Sequence, residues 1–134
     1  MTGQPATILV VDDEAHITHV VSLKLRNAGY TVLTAADGEE GFESAVQHRP
    51  DLIITDLQMP YLTGLEMARR LRQTKETAEI PVIILTARGF GLTADDTADA
   101  NIVKLLSKPF GPRDLLQQVM DQLGGDPAGV SDAA

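Results

Sequence analysis

Five short apolar runs, each giving way to polar residues and each followed by a stretch of helical periodicity, constrain this chain more than any other feature. The runs are Thr7–Val11, Thr31–Ala35, Leu52–Ile54, Pro81–Leu85 and Ile102–Leu106. They are too short for helices, and Leu52–Ile54 and Pro81–Leu85 are apolar throughout, the pattern of strands buried between two layers. Between them, Ile17, Val20, Val21 and Ala28 mark one helical face that Asn27 and Gly29 bring to a stop. Asp37 with Glu40, and Thr63 with Glu66, have the spacing of helix-capping pairs. Phe42, Ala45 and Val46 face inward before Pro50 ends the second helix, and Leu65, Ala68 and Leu71 mark the third, with Arg69, Arg70, Arg72 and Lys75 in water. A fourth helix is expected between Arg88 and Asn101, short or mobile because Gly89, Gly91 and several turn-forming residues leave few large apolar groups. Leu115, Leu116, Val119, Met120 and Leu123 give the fifth, closed by Gly124-Gly125. Strands alternating with helices in this way predict an α/β fold: a five-stranded parallel sheet with helices on both faces.

A length of 134 residues with 43% hydrophobic content suits one domain, expected over residues 5–124, with 125–134 as a disordered tail or linker. Eleven Lys and Arg against nineteen Asp and Glu give a net charge of -8, which disfavours direct binding to nucleic acid or anionic lipid. The absence of cysteine excludes a disulfide frame and a thiolate metal site. No apolar run approaches the roughly 20 residues that span a bilayer, and no signal pattern opens the chain, so a cytoplasmic protein without membrane insertion is expected.

The residues just past the strands carry the chemistry. Asp12-Asp13-Glu14 comes after the first, Asp56 after the third, Thr86 after the fourth and Lys108 after the fifth. Singly, each has a structural reading: Asp12 or Asp13 as a helix cap, Asp56 as a turn former before Pro60, Thr86 as a β-former, Lys108 as a solvated cation. A parallel sheet brings all five to the edge where ligands collect. Carboxylates crowded there repel, at about 4 Å and an effective dielectric near 20 by roughly 4 kcal/mol per pair. A hard divalent cation relieves that repulsion, and an all-oxygen donor set points to Mg2+. Lys108 and Thr86 would then meet the oxygens of a phosphoryl group, and Asp56, ionised at neutral pH, can attack phosphorus without a general base. Neutralising one acid of the cluster, for instance by Asp13→Asn, is expected to stabilise the metal-free protein.

From Thr7 to Leu123 the chain resembles the receiver domains of bacterial two-component response regulators. The likeness rests on Val10-Val11-Asp12-Asp13-Glu14, on Asp56-Leu57-Gln58-Met59-Pro60 with Gly64, on Leu85-Thr86-Ala87 and on Lys108-Pro109-Phe110, in that order. The resemblance implies the flavodoxin-like strand order 2-1-3-4-5. It implies that Asp56 accepts phosphate from a phosphohistidine on a sensor histidine kinase or histidine phosphotransfer protein. Asp12, Asp13, Asp56 and the backbone carbonyl of Gln58 would hold Mg2+, Lys108 would contact the phosphoryl group, and Thr86 would move toward it as the switch. A cis Lys108–Pro109 bond and tuning of phosphate lifetime by Gln58 and Arg88 are also implied.

The chain departs from this family at Leu105, where an aromatic ring usually completes the switch, and in the glycine-flanked Phe90 region on the surface that normally reports phosphorylation. Rearrangement of the Arg88 to Asn101 segment is the expected substitute, acting on an unknown downstream protein. A phosphatase resembling the haloacid dehalogenase superfamily would want a second acid two residues past Asp56, where Gln58 stands. A flavodoxin-like or dinucleotide-binding module would want glycines or hydroxyls after the first strand, where this chain has acids. His16 and His19, three apart on the first helix, have no third ligand and read as surface residues, as does Tyr61 at the rim of the site.

Overall fold

The computed structural model describes residues 5–86, 97, 100–108 and 111–123. The element order is β1 (Thr7–Val11), α1 (Ala15–Asn27), β2 (Thr31–Ala35), α2 (Gly38–His48), β3 (Leu52–Asp56), α3 (Gly64–Arg72), β4 (Val82–Thr86), β5 (Ile102–Ser107) and α4 (Pro112–Leu123). The expected fourth helix, between Arg88 and Asn101, lies outside the described residues except at Thr97, Ala100 and Asn101, and the Lys108–Pro109 bond and the tail from Gly124 lie outside them too.

The strands form one sheet in the order β2-β1-β3-β4-β5, all parallel. Successive strand side chains point to opposite faces, so each run feeds two cores. Leu9, Val11, Ile53 and Ile84 pack on one face with Ala45 of α2 and with Met67, Ala68 and Leu71 of α3. Ile8, Val10, Ile54, Ile83 and Leu85 pack on the other with Val21 and Leu25 of α1 and with Leu115 and Val119 of α4. Strands β3 and β4 are buried along their whole length, which explains why their sequences show no polar alternation.

The pairing of β4 with β5 slips between Val82 and Ile83, which face Ile102 and Lys104. Val103 is thus the extra residue of a bulge, 38% exposed on the edge strand. Past the bulge Leu105 lies opposite Ile84 and packs, partly buried, on the α2–α3 core. The capping signals act as expected. Asp37 accepts from the Glu40 amide, and Thr63 and Glu66 form a complete capping box that fixes the start of α3.

Three packing expectations need correction. Val20 is 48% exposed, because it is rotated about 100° from Val21 on the helix and only one of the pair can point inward; Leu25 fills the core instead. Met67, which the expected face of α3 omits, is fully buried at its start, while Leu65 packs partly buried on the same core. Arg70 is not simply solvated, since it lies 3.1 Å from Glu39 and 5.1 Å from the centre of the Phe42 ring, tying α3 to α2.

Candidate functional site

The C-terminal ends of β1, β3 and β4 and the residue after β5 meet at one edge of the sheet. Asp12 lies one residue past β1, Asp56 is the last residue of β3, Thr86 the last of β4, and Lys108 comes directly after β5. All but the lysine are buried: Asp12 is 2%, Asp56 6% and Thr86 4% exposed. Backbone bonds hold these positions. The Asp12 amide donates to Ala35 O at 3.2 Å, the Leu57 amide to Leu85 O at 2.8 Å, and the Lys108 amide to Thr86 O at 2.7 Å. The last of these ties the lysine to the strand that carries the threonine.

Lys108 is the centre of the charge arrangement. Its Nζ is 2.7 Å from Asp56 Oδ1, 3.7 Å from Glu14 Oε1 and 3.9 Å from Asp12 Oδ2. Partial burial alone would lower its pKa, but the hydrogen bond and charge of Asp56, with Asp12 and Glu14 behind it, raise it above the ordinary lysine value and keep it charged. One oxygen from each of Asp12, Asp13 and Asp56 lies within 4.8 Å of the others, a cluster of oxygen donors of the kind that hard divalent cations take.

Asp12 carries the strain of this crowding. Its Oδ1 accepts from the Glu14 amide at 2.9 Å, while its Oδ2 is buried with no hydrogen-bond partner among the described residues. Burial, reinforced by the negative charge of Asp56, raises its pKa from 3.8 to about 6 against the opposing pull of the Glu14 amide and Lys108. Asp13, the next residue, is exposed but keeps an oxygen in the cluster, so the relief expected from Asp13→Asn is joined by one at the buried Asp12. Neither aspartate caps α1: the N-cap is Glu14, without a side-chain hydrogen bond.

A carboxyl whose pKa is higher in the folded than in the unfolded state stabilises the fold while protonated, and loses that contribution as pH rises. For Asp12 the loss spans the interval from about 4 to about 6 and amounts to roughly 3 kcal/mol at most. Metal-free Asp12→Asn is therefore expected to match the parent protein near pH 4 and to exceed it increasingly toward pH 7. Urea unfolding of both proteins at the two pH values measures the gap.

Sequence reasoning places Asp12, Asp13, Asp56, Thr86 and Lys108 at one edge, and four of the five are so arranged by direct contact or charge cluster; Thr86 joins them through its strand position and its carbonyl bond to Lys108. Gln58 lies in the loop after β3 with its side chain exposed. Two neighbours matter more than their residue types suggest. Glu14 reaches Lys108, a proximity at which the Asp12-Asp13-Glu14 run only hints. Gly64, at the start of α3, presses on the backbone of Asp56: a Cβ there would collide with the Asp56 carbonyl oxygen. Arg88 lies outside the described residues. His16 and His19 belong to no metal-holding group among those described.

A parallel 2-1-3-4-5 sheet with an acid cluster and a lysine at the C-terminal edge defines a class of protein, and comparison with known proteins specifies it. Residues 8–120 match the response regulator receiver domain model. The phosphate regulon transcriptional regulatory protein PhoB of Pseudomonas aeruginosa is 36% identical over 127 residues, covering 95% of this chain and 56% of that protein. The transcriptional regulator RpaA of Synechocystis is 41% identical over 112 residues, covering 84% of this chain and 46% of that protein. The chain thus spans about half the length of the curated relatives it matches. Among solved structures, a response regulator from Chloroflexus aurantiacus superposes with a TM-score of 0.82 at 35% identity, covering 90% of this chain and 99% of that one. The receiver domain of the Pseudomonas aeruginosa sensor histidine kinase PA1611, solved with a magnesium ion in its active-site cleft, gives 0.80 at 30% identity, with coverage of 90% and 99%. The chain belongs to the response regulator receiver domain family, a component of two-component phosphorelays. The phosphatase and dinucleotide-module alternatives are not favoured. No helix among the described residues is long and apolar enough to cross a membrane.

Proposed function

We propose that Asp56 is the residue on which this receiver domain accepts its phosphoryl group, taken from a phosphohistidine on a sensor histidine kinase or histidine phosphotransfer protein. The observation that supports this most is the 2.7 Å contact of Lys108 Nζ with Asp56 Oδ1 inside the cluster of carboxylate oxygens. A carboxylate oxygen of Asp56 forms the bond to phosphorus as the bond to the histidine nitrogen breaks, and the imidazole departs with the bonding pair. Lys108, already charged, turns from Asp56 to a phosphoryl oxygen, and the Thr86 hydroxyl is the group assigned to another. Beyond this self-assisted transfer and its reversal by water, no separate enzymatic activity is assigned.

The donor set fits Mg2+: the oxygens are hard, they converge, and the buried Asp12 Oδ2 accepts no hydrogen bond among the described residues, its ion pair with Lys108 Nζ being 3.9 Å long. Asp12, Asp13, Asp56 and the backbone carbonyl of Gln58 are the proposed ligands. When bound, the ion supplies charge neutralisation for the acids and the incoming phosphoryl group. The family's unit is assigned to residues 5–124, with 125–134 a tail or linker, in the cytoplasm. Output passes to a protein partner through the Arg88 to Asn101 segment, because Leu105 offers an aliphatic side chain where the usual switch uses a ring.

Incubation with acetyl phosphate tests the reading. With Mg2+ the protein is expected to gain one hydroxylamine-labile phosphoryl group, and with a chelator almost none, by intact-mass measurement. Mg2+ alone is expected to raise the melting temperature. A label acquired equally without metal, or none at all, would count against the assignment.

A further inference from the structure

On the flank of α1 that faces the edge strand β2, adjoining the hollow that holds Asp12 and Asp13, lies a groove of about 250 Å3 lined by Ala15, Thr18, His19, Ser22, Arg26 and Thr34. Its origin is in the sequence. Residues 15, 19, 22 and 26 fall on successive turns of one helix flank, and the small Ala15 and Ser22 leave a hollow between the longer His19 and Arg26. No carboxylate lines the groove itself, although the adjoining hollow that shares Ala15, Thr18 and Thr34 with it is lined by Asp12, Asp13 and Glu40 and the chain carries a net charge of -8. Apart from Thr18, whose hydroxyl is already engaged, every polar side chain on it offers an N–H or O–H.

Ser22 is the second and independent sign. It is only 3% exposed, yet its Oγ has no hydrogen-bond partner among the described residues. Buried hydroxyls are normally paired, and a helical serine usually donates to the carbonyl one turn back. Arg26 is exposed and commits one N–H, to Val32 O at 3.3 Å, leaving four donors of its planar fork. Thr34 is exposed on β2 across from the helix, whereas the Thr18 hydroxyl is occupied with the carbonyls of Asp12 and Glu14 at 3.3 Å.

We infer that this groove between α1 and β2 is a binding site for a small tetrahedral oxyanion of the phosphate type, held by Arg26, His19, Ser22 and Thr34. The guanidinium fork matches two oxygens of such an ion, the imidazole supplies an N–H in either protonation state, and a rotation of Ser22 about χ1 brings its idle hydroxyl to a third oxygen. The site is separate from Asp56 and does not depend on the function proposed for that residue.

The test tracks backbone amide shifts of the full-length chain while inorganic phosphate is added in magnesium-free buffer, with ionic strength held constant by chloride. A parallel titration with methyl phosphate distinguishes a free ion from a phosphate ester; saturation by either supports the site. Saturable shifts centred on residues 15–34 are expected, abolished in Arg26→Gln. Ser22→Ala gives the sharper contrast. Loss of one hydrogen bond to an anion should weaken binding about tenfold, while removal of an unpaired buried hydroxyl should leave the ligand-free melting temperature equal or higher. Non-saturating shifts, shifts centred on Asp56 and Lys108, or unchanged affinity in Ser22→Ala would overturn the inference.

Discussion

Asp56→Asn is expected to reduce phosphoryl uptake from acetyl phosphate to background while leaving the protein at least as stable as the parent. Both halves come from the same geometry. Asparagine keeps the shape of a side chain that is 8% exposed, and its amide oxygen can still accept from Lys108, so packing is preserved. It removes one of three negative charges whose oxygens lie within 4.8 Å of one another, which relieves repulsion in the metal-free site. The amide, however, has no oxygen lone pair with the nucleophilicity of a carboxylate, and the covalent step has no acceptor. Loss of uptake together with a maintained or higher melting temperature separates a chemical role from a structural one. Uptake at the parental level would move the acceptor to another residue.

The second large effect is expected at Gly64. Its requirement is space rather than backbone freedom: a Cβ would meet the carbonyl oxygen of Asp56, with the Asp56 carbonyl carbon 3.1 Å and the Leu57 Cα 3.2 Å away. Helix α3 cannot back off easily, because the Gly64 amide donates to Leu57 O at 2.9 Å and the Thr63–Glu66 capping box anchors the helix at that point. Gly64→Ala must therefore push the end of β3, and Asp56 with it. A cost of about 3 kcal/mol is expected, the upper part of the usual range for overpacking, or a fall of roughly 10 °C in melting temperature. Gly111→Ala is the control, since its nearest contact is 3.4 Å from the far end of the Asp114 side chain. Thermal unfolding of the two variants is expected to separate them clearly, and phosphoryl uptake should slow only in the Gly64 variant.

The inner strands β1, β3 and β4 are legible in the sequence because burial on both faces leaves an uninterrupted apolar run, and the helix starts because capping pairs have fixed spacing. The inward face of α1 is harder to assign. Val20 and Val21 are chemically alike, and only the position of the helix on the sheet decides between them; Leu25 inside and Val20 outside are consequences of that placement. The bulge at Val103 leaves no mark in the sequence, because its two neighbours are as compatible with a strand as the residue itself.

At the site, residue types and their gathering come from the parallel topology alone. The difference between adjacent aspartates does not. Asp12 is buried with one oxygen that accepts no hydrogen bond among the described residues and Asp13 is exposed, since the chain leaves β1 there and successive side chains diverge. The reach of Glu14 to Lys108 depends on two long side chains meeting in space, which spacing along the chain does not reveal.

The central claim, that Asp56 takes the phosphoryl group, is most directly tested by locating the modification in the parent protein. After incubation with acetyl phosphate and Mg2+, borohydride reduction converts an aspartyl phosphate to homoserine, and peptide mass spectrometry finds where it lies. The account predicts homoserine at position 56 alone. Homoserine at position 12 or 13, or none despite phosphoryl uptake by the intact protein, would contradict it.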